Sequence, residues 1–518
     1  MRVLCAFPEA MPSSNSRPPA CLAPGALYLA LLLHLSLSSQ AGDRRPLPVD
    51  RAAGLKEKTL ILLDVSTKNP VRTVNENFLS LQLDPSIIHD GWLDFLSSKR
   101  LVTLARGLSP AFLRFGGKRT DFLQFQNLRN PAKSRGGPGP DYYLKNYEDD
   151  IVRSDVALDK QKGCKIAQHP DVMLELQREK AAQMHLVLLK EQFSNTYSNL
   201  ILTEPNNYRT MHGRAVNGSQ LGKDYIQLKS LLQPIRIYSR ASLYGPNIGR
   251  PRKNVIALLD GCYIDGRVVK VMDFLKTRLL DTLSDQIRKI QKVVNTYTPG
   301  KKIWLEGVVT TSAGGTNNLS DSYAAGFLWL NTLGMLANQG IDVVIRHSFF
   351  DHGYNHLVDQ NFNPLPDYWL SLLYKRLIGP KVLAVHVAGL QRKPRPGRVI
   401  RDKLRIYAHC TNHHNHNYVR GSITLFIINL HRSRKKIKLA GTLRDKLVHQ
   451  YLLQPYGQEG LKSKSVQLNG QPLVMVDDGT LPELKPRPLR AGRTLVIPPV
   501  TMGFFVVKNV NALACRYR

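Results

Sequence analysis

Acidic residues are scarce in this chain: 39 Asp and Glu stand against 72 Lys and Arg over 518 residues, a formal charge of +33. Such an imbalance disfavours cationic partners and attracts polyanions. Long apolar runs are also lacking. The longest early block, Ala26–Leu37 (ALYLALLLHLSL), is short of the roughly 20 residues that cross a bilayer. It precedes Ser39-Gln40-Ala41 and a polar GDRR, the pattern of a secretory signal with cleavage after residue 41. No transmembrane segment is expected. Cysteine is sparse too, and cleavage would leave Cys164, Cys262, Cys410 and Cys515. In an oxidising compartment four cysteines suggest pairing, with three possible connectivities.

A secreted chain meets sulfated glycosaminoglycans rather than nucleic acid, so compartment sets the partner class. Two acceptor sequons, at Asn217 and Asn318, fit secretion. The 43% hydrophobic content is ordinary for a protein with a packed core.

Along the chain, strand-like and helix-like stretches alternate up to about residue 380. Residues 57–64 and 111–117 read as buried strands, with a helix-like run over 90–108 between them. The pattern lapses over 124–190, a charged linker-like excursion containing SRGGPGP. It resumes with a helix over 224–234, a strand within 235–247, and the clearest helix over 271–294. Further strands are expected over 302–309 and 341–350, and helices over 322–339 and 366–378. This is the grammar of α/β proteins, a barrel or a doubly wound sheet.

After about residue 381 short strand runs follow one another, with Asn469-Gly470 as a hairpin turn. They predict an antiparallel β-sandwich over 381–518. Cys410 and Cys515, at the end of its first strand and just after its last, are placed to staple it; two free buried cysteines are the alternative.

Glu204, in LILTEPNNYR, and Glu306, in KKIWLEG, each close a strand-like run. Retaining glycosidases need two such carboxylates about 5–5.5 Å apart. EPNNYR, LRFGGKRTDFL, KKIWLEG, LSDSYAAGFLWLNTLG and FFDHGYNHLVDQNFNPLPDYWLSLL resemble the heparanase family, from about Lys58 to the end. Several differences resemble its non-hydrolytic branch. The resemblance implies a (β/α)8 barrel with a C-terminal β-sandwich and, in active members, retaining endo-β-glucuronidase action on heparan sulfate. It makes Glu204 the acid/base and Glu306 a displaced nucleophile candidate.

The departures matter. The family has a different strand before its Asn-Glu-Pro motif; here Ser194–Thr203 resembles the start of a helix joined directly to Glu204-Pro205. A second junction lies at LLDGCYIDGR, where Cys262 follows Gly261. Five strand-length runs can be assigned to a barrel that needs eight, so an incomplete barrel is expected over 42–123 and 191–380, with an N-terminal strand able to join the β-domain. Glu306-Gly307 inverts the family's Gly-Glu order, so either the strand slips or the nucleophile's place falls on Gly307. The family-like partner of Cys164 falls in an absent stretch, which leaves Cys164 and Cys262 unpaired or joined only to each other.

By the same resemblance Arg250, Arg252 and Lys253 match a heparin-binding segment, and Arg267, Gly314 and Gly353 fall at substrate-contact positions. Further basic runs occur at Arg392, Lys393 and Arg395, continuing to Arg405, and at Arg434, Lys435 and Lys436. Arginine engages sulfate and carboxylate bidentately while lysine acts as a point charge, so these clusters suit a sulfated chain. The histidine-rich run His409–His416 reads as a polar loop, not a metal site, and no cofactor is expected.

Three readings fit these features. The first is a secreted, catalytically silent binder of heparan sulfate proteoglycans and heparin, which also touches or competes with active heparanase. The second is an active endo-β-glucuronidase. The third is a shortened chain that folds poorly and is retained in the secretory pathway.

Overall fold

The computed structural model describes residues 60–83, 98–115, 270–311, 315–350, 353–388 and 403–516, with single positions and two short strands between 200 and 244. All fall within one compact unit, Thr59–Arg518. The expected signal segment, the linker-like excursion, both junctions, Cys164, Cys262 and Asn217 lie outside these residues.

The first part of the chain contributes β1 (Leu60–Val65), β2 (Arg72–Thr73), β3 (Leu79–Leu83), α1 (Lys99–Gly107) and β4 (Leu113–Phe115). Two short strands follow, β5 (Leu200–Ile201) and β6 (Leu243–Tyr244). Next come α2 (Thr277–Leu280), α3 (Thr282–Tyr297), β7 (Trp304–Val308), α4 (Ala325–Gln339), β8 (Val343–Arg346) and α5 (Pro366–Leu377). The last part is all strand: β9 (Ile378–Leu383), β10 (Val385–Ala388), β11 (Leu404–Thr411), β12 (Ile423–Asn429), β13 (Lys435–Leu439) and β14 (Val448–Pro455). It closes with β15 (Val466–Leu468), β16 (Gln471–Pro472), β17 (Arg487–Leu489), β18 (Leu495–Ile497) and β19 (Thr501–Val507).

Four of these strands form a parallel sheet in the order β4-β3-β8-β7. Its Leu79, Leu81, Leu83 and Val344 enter the core that α4 and α5 share. Both helices are buried nearly all round, α4 from Ala325 to Ala337 and α5 at every residue but Arg376, as expected of helices covered on two sides. Their far side meets a nine-stranded sheet built around β14, β19, β12 and β11. The strand β12 explains the contact. Phe426 and Ile428 face the helices, while Leu425 and Ile427 face a second core. A strand buried on both faces reads as a continuous apolar run, and ITLFIIN is one.

The second core lies between the nine-stranded sheet and a four-stranded one ordered β10-β1-β13-β18. Here β1 pairs in parallel with β13 and antiparallel with β10. The N-terminal strand that the sequence left able to join the β-domain therefore does so, lying between β10 and β13 and not in the parallel sheet. Cys410 and Cys515 form a disulfide with Cα atoms 5.3 Å apart, tying the chain end to β11. The Asn469-Gly470 turn joins β15 to β16.

The run expected as one helix over 271–294 is broken. A 3-10 turn over Val271–Leu275 ends at Lys276, whose backbone is extended, and Asp281 separates α2 from α3. Polar groups impose the breaks: Asp273 accepts from the Lys270 N–H at 2.7 Å and pairs with Lys276, while Asp281 is held by Arg405. The apolar period survives them, since Phe274, Leu283, Ile287 and Ile290 are all buried. Ser194–Thr203, read as a helix start, instead contains β5, which pairs in parallel with β6 in a two-stranded sheet. Among the described residues no helix is long and apolar enough to cross a membrane.

Candidate functional site

Register sorts the faces of the parallel sheet. Leu79 lies beside Val344 and Leu81 beside Arg346. Arg346 is fully buried, donates to Asp367 Oδ2 on α5 at 2.9 Å and lies 5.1 Å above the Trp329 ring on α4, so this face meets the helices. The opposite face carries Ser80 and Gln82 of β3, Arg114 of β4, and Val343 and Ile345 of β8. Trp304 of β7, in register with Val343, belongs to it and stacks on Phe112 with ring centroids 4.9 Å apart.

Glu306 is two residues beyond Trp304 and shares its face. Its Oε2 lies 3.2 Å from Arg114 Nε, with both side chains largely buried. Leu305 pairs with Val344 but Val308 pairs with Arg346, so β7 holds one residue more than its partner between those points. Leu305 and Val308, an odd number of residues apart, can then both enter the helix-side core. The extra residue falls at Glu306-Gly307, and Gly307 has φ +60°, a conformation glycine adopts without a side-chain clash. The inverted Glu-Gly order is thus absorbed by a bulge, which leaves Glu306 on the side of Arg114 and Gln82.

The loops after β7 and β8 are tied together at the C-terminal ends of the strands, where barrel enzymes carry their sites. Thr310 Oγ1 donates to Asn355 Oδ1 at 2.9 Å, and Asn355 Nδ2 donates to the Thr311 carbonyl at 2.9 Å. Ser320 Oγ accepts from the Thr316 N–H, and Lys464 reaches from the C-terminal sheet to Asp321 at 2.8 Å. Gly353, an expected contact position, is half-buried at this end. Glu204, Arg267, Gly314 and the basic Arg250, Arg252 and Lys253 lie outside the described residues, as do Arg392, Lys393 and Arg395.

Of the basic residues described, Arg434 and Lys436 are exposed and Lys435 half-buried, on or beside β13. Arg405 does not belong with them. Its guanidinium makes a bidentate pair with Asp281 and reaches Asn331, so its charge is spent inside the protein. Asn318 is exposed with φ +58°. His409 is buried in β11 and donates its Nδ1–H to the Gly379 carbonyl at 2.9 Å, whereas His413 and His414 stand near Glu76.

Sequence reasoning left Arg114 without a role. The signal was a lone charge inside an apolar strand, Leu113-Arg114-Phe115, which needs a partner when buried.

No family model matches the chain. A human protein, inactive heparanase-2, is 87% identical over 592 positions with all of both chains covered, and its mouse counterpart is 85% identical. This chain has 518 residues, so at least 74 of the 592 positions have no residue here, and 87% of 592 nearly equals the number of residues present. Mouse heparanase is 38% identical, covering 88% of this chain and 94% of its own. Among solved structures, a 4-O-alpha-L-rhamnosyl-beta-D-glucuronidase from Fusarium oxysporum aligns with TM-score 0.52 at 10% identity, over 86% of this chain and all of its own. A thermostable alpha-L-arabinofuranosidase from Thermotoga petrophila aligns with TM-score 0.51, also at 10% identity, over 87% of this chain and all of its own. At that identity the likeness bears on fold alone, a glycoside hydrolase fold.

Proposed function

The chain belongs to the heparanase family, and from that premise we propose that it is a secreted, non-hydrolytic member that holds heparan sulfate and heparin without cleaving them. Occupying that polysaccharide, it competes with active heparanase. The alignment with inactive heparanase-2 carries the reading: nearly every residue has an identical counterpart there, and at least 74 positions of that relative are missing here. We take the α/β part, over 42–123 and 191–380, as a barrel short of strands, with the linker-like 124–190 between them and the β-sandwich following from residue 381.

Hydrolysis with retention needs two carboxylates held across one glycosidic bond, and a small misplacement of either is costly. Glu306 lies on a strand of the four-stranded parallel sheet. Leu200–Ile201 pairs with Leu243–Tyr244 in a two-stranded sheet. The 87% identity with a relative named inactive heparanase-2 favours a site that binds and does not cut. Secretion is supported by the Ala26–Leu37 block with its small-residue end and by the Cys410–Cys515 disulfide. Binding is supported by the charge of +33 and by the exposed Arg434 and Lys436.

One observation favours an active enzyme: Glu306 keeps a charged partner on its face of the sheet, the Arg114 guanidinium at 3.2 Å. The two readings separate in one preparation, by measuring heparin retention and heparan sulfate chain length with Glu204→Gln and Glu306→Gln variants alongside. Retention that weakens with ionic strength, with no chain shortening in any of the three proteins, is the expected result. Shortening that either variant abolishes would establish the enzyme, and retention indifferent to salt would remove charge as the basis of binding.

A further inference from the structure

The loop after β11 places two adjacent histidines side by side. Asparagines pin this loop to the C-terminal end of α5: Asn412 Nδ2 donates to the Lys375 carbonyl at 2.6 Å, and Asn415 Nδ2 to the Arg376 carbonyl at 2.9 Å. The Asn412 N–H donates to the Leu377 carbonyl at 3.1 Å. These bonds satisfy carbonyls that a helix end leaves open. Asn412 Oδ1 then accepts from the His414 N–H at 3.0 Å and turns the chain. The rings of His413 and His414 consequently sit 3.8 Å apart, whereas successive residues of a strand point to opposite faces.

Glu76 faces them from the segment between β2 and β3. That segment is anchored as well: Val74 N–H donates to the Pro380 carbonyl at 3.0 Å and Asn75 N–H to the Asp342 carbonyl at 3.2 Å. One nitrogen from each histidine and one Glu76 oxygen all lie within 4.8 Å of one another. His413 Nε2 and Glu76 Oε1 are already 3.9 Å apart. Zinc bonds of about 2.0–2.2 Å in a tetrahedron put ligand atoms about 3.4 Å from each other. Small side-chain rotations therefore close the geometry on backbones that are already fixed.

We propose that Glu76, His413 and His414 form a zinc site, which links the segment entering the parallel sheet to a loop of the antiparallel one. Two imidazoles and one carboxylate suit zinc among common divalent ions, because calcium and magnesium call for shells of six or more oxygens. Three protein ligands leave the fourth position to water.

The test uses the full chain without a polyhistidine tag, stripped by chelator and titrated with zinc alone, with calorimetry and thermal unfolding as readouts. One zinc per chain and a higher melting temperature are expected. Glu76→Gln, His413→Ala and His414→Ala should each weaken binding tenfold or more, and His416→Ala, in the same loop, should not. Glu76→Gln changes one exposed side chain to its near-isostere, and circular dichroism verifies that it folds. Absence of saturable binding to the stripped chain would overturn the site. Equal affinity in Glu76→Gln would also overturn it, assigning the metal to other histidines.

Discussion

Arg114 and Glu306 stand on the two outer strands of the parallel sheet and meet at 3.2 Å, reaching across β3 and β8 between them. Removing one member of such a buried pair leaves the other charged and desolvated. Glu306→Gln or Arg114→Met should each cost about 3 kcal/mol of stability. The double variant should lose clearly less than the sum. Urea unfolding of the four proteins in a double-mutant cycle measures the coupling.

Much of this was legible in the sequence, and the exceptions share a cause. Helices over 325–339 and 366–377 and the C-terminal strands follow from apolar runs and turn residues close together in the chain. The break at Asp281 was hidden, because Arg405, which holds it, is 124 residues away. That an N-terminal strand could join the β-domain was legible, but not its partner, since β13 lies far along the chain from β1. The bulge at Gly307 left a trace in the inverted Glu-Gly order, but its effect on Glu306 depends on the register with β8. Glu76 has no local feature that ties it to His413.

Gly334 marks where α4 approaches β11. A Cβ there would lie 2.5 Å from Tyr407 Cγ. The Tyr407 ring cannot readily yield, since it stacks on Phe426 at 5.0 Å and its hydroxyl bonds Asn331 Oδ1 at 2.9 Å. Gly334→Ala should therefore destabilise by about 1–3 kcal/mol, despite the better helix propensity of alanine. Asn338→Ala, on the exposed side of the same helix, should change little. Thermal unfolding of both variants distinguishes close packing from propensity.

Acid should weaken the fold through His409. Burial lowers its pKa to about 4, because a charged imidazole among Tyr374 and Phe426 would lose its hydration. The unfolded chain takes up this proton below about pH 6.5, whereas the folded chain resists until about 4. The contribution is present in full above pH 6.5 and is lost as pH falls toward 4, about 3 kcal/mol in all. His409→Gln, which cannot be protonated, should flatten the stability profile in that window. Lys375, whose pKa burial lowers to about 7, acts with the same sign at higher pH. Its contribution is lost as pH falls from about 10.5 to about 7, so the two windows can be separated by titration.

The basic residues around β13 offer the sharpest distinction between charge that binds and charge that only folds. Arg434 and Lys436 are exposed, and the neighbours of Lys436 in the sheet are the uncharged Leu60 and Val496. Arg434→Ala/Lys436→Ala should lower heparin affinity about 2- to 30-fold, the range expected of two exposed charge contacts. The difference should shrink as salt rises, because screening shortens the reach of exposed charges from about 10 Å at 0.1 M to about 3 Å at 1 M. Arg405→Ala removes one positive charge, half of what the double variant removes, from a guanidinium already held by Asp281. It should leave heparin elution nearly unchanged while lowering the melting temperature. A loss of binding free energy from Arg405→Ala half as large as that from the β13 variant would show that heparin responds to net charge, with no preference for the β13 surface.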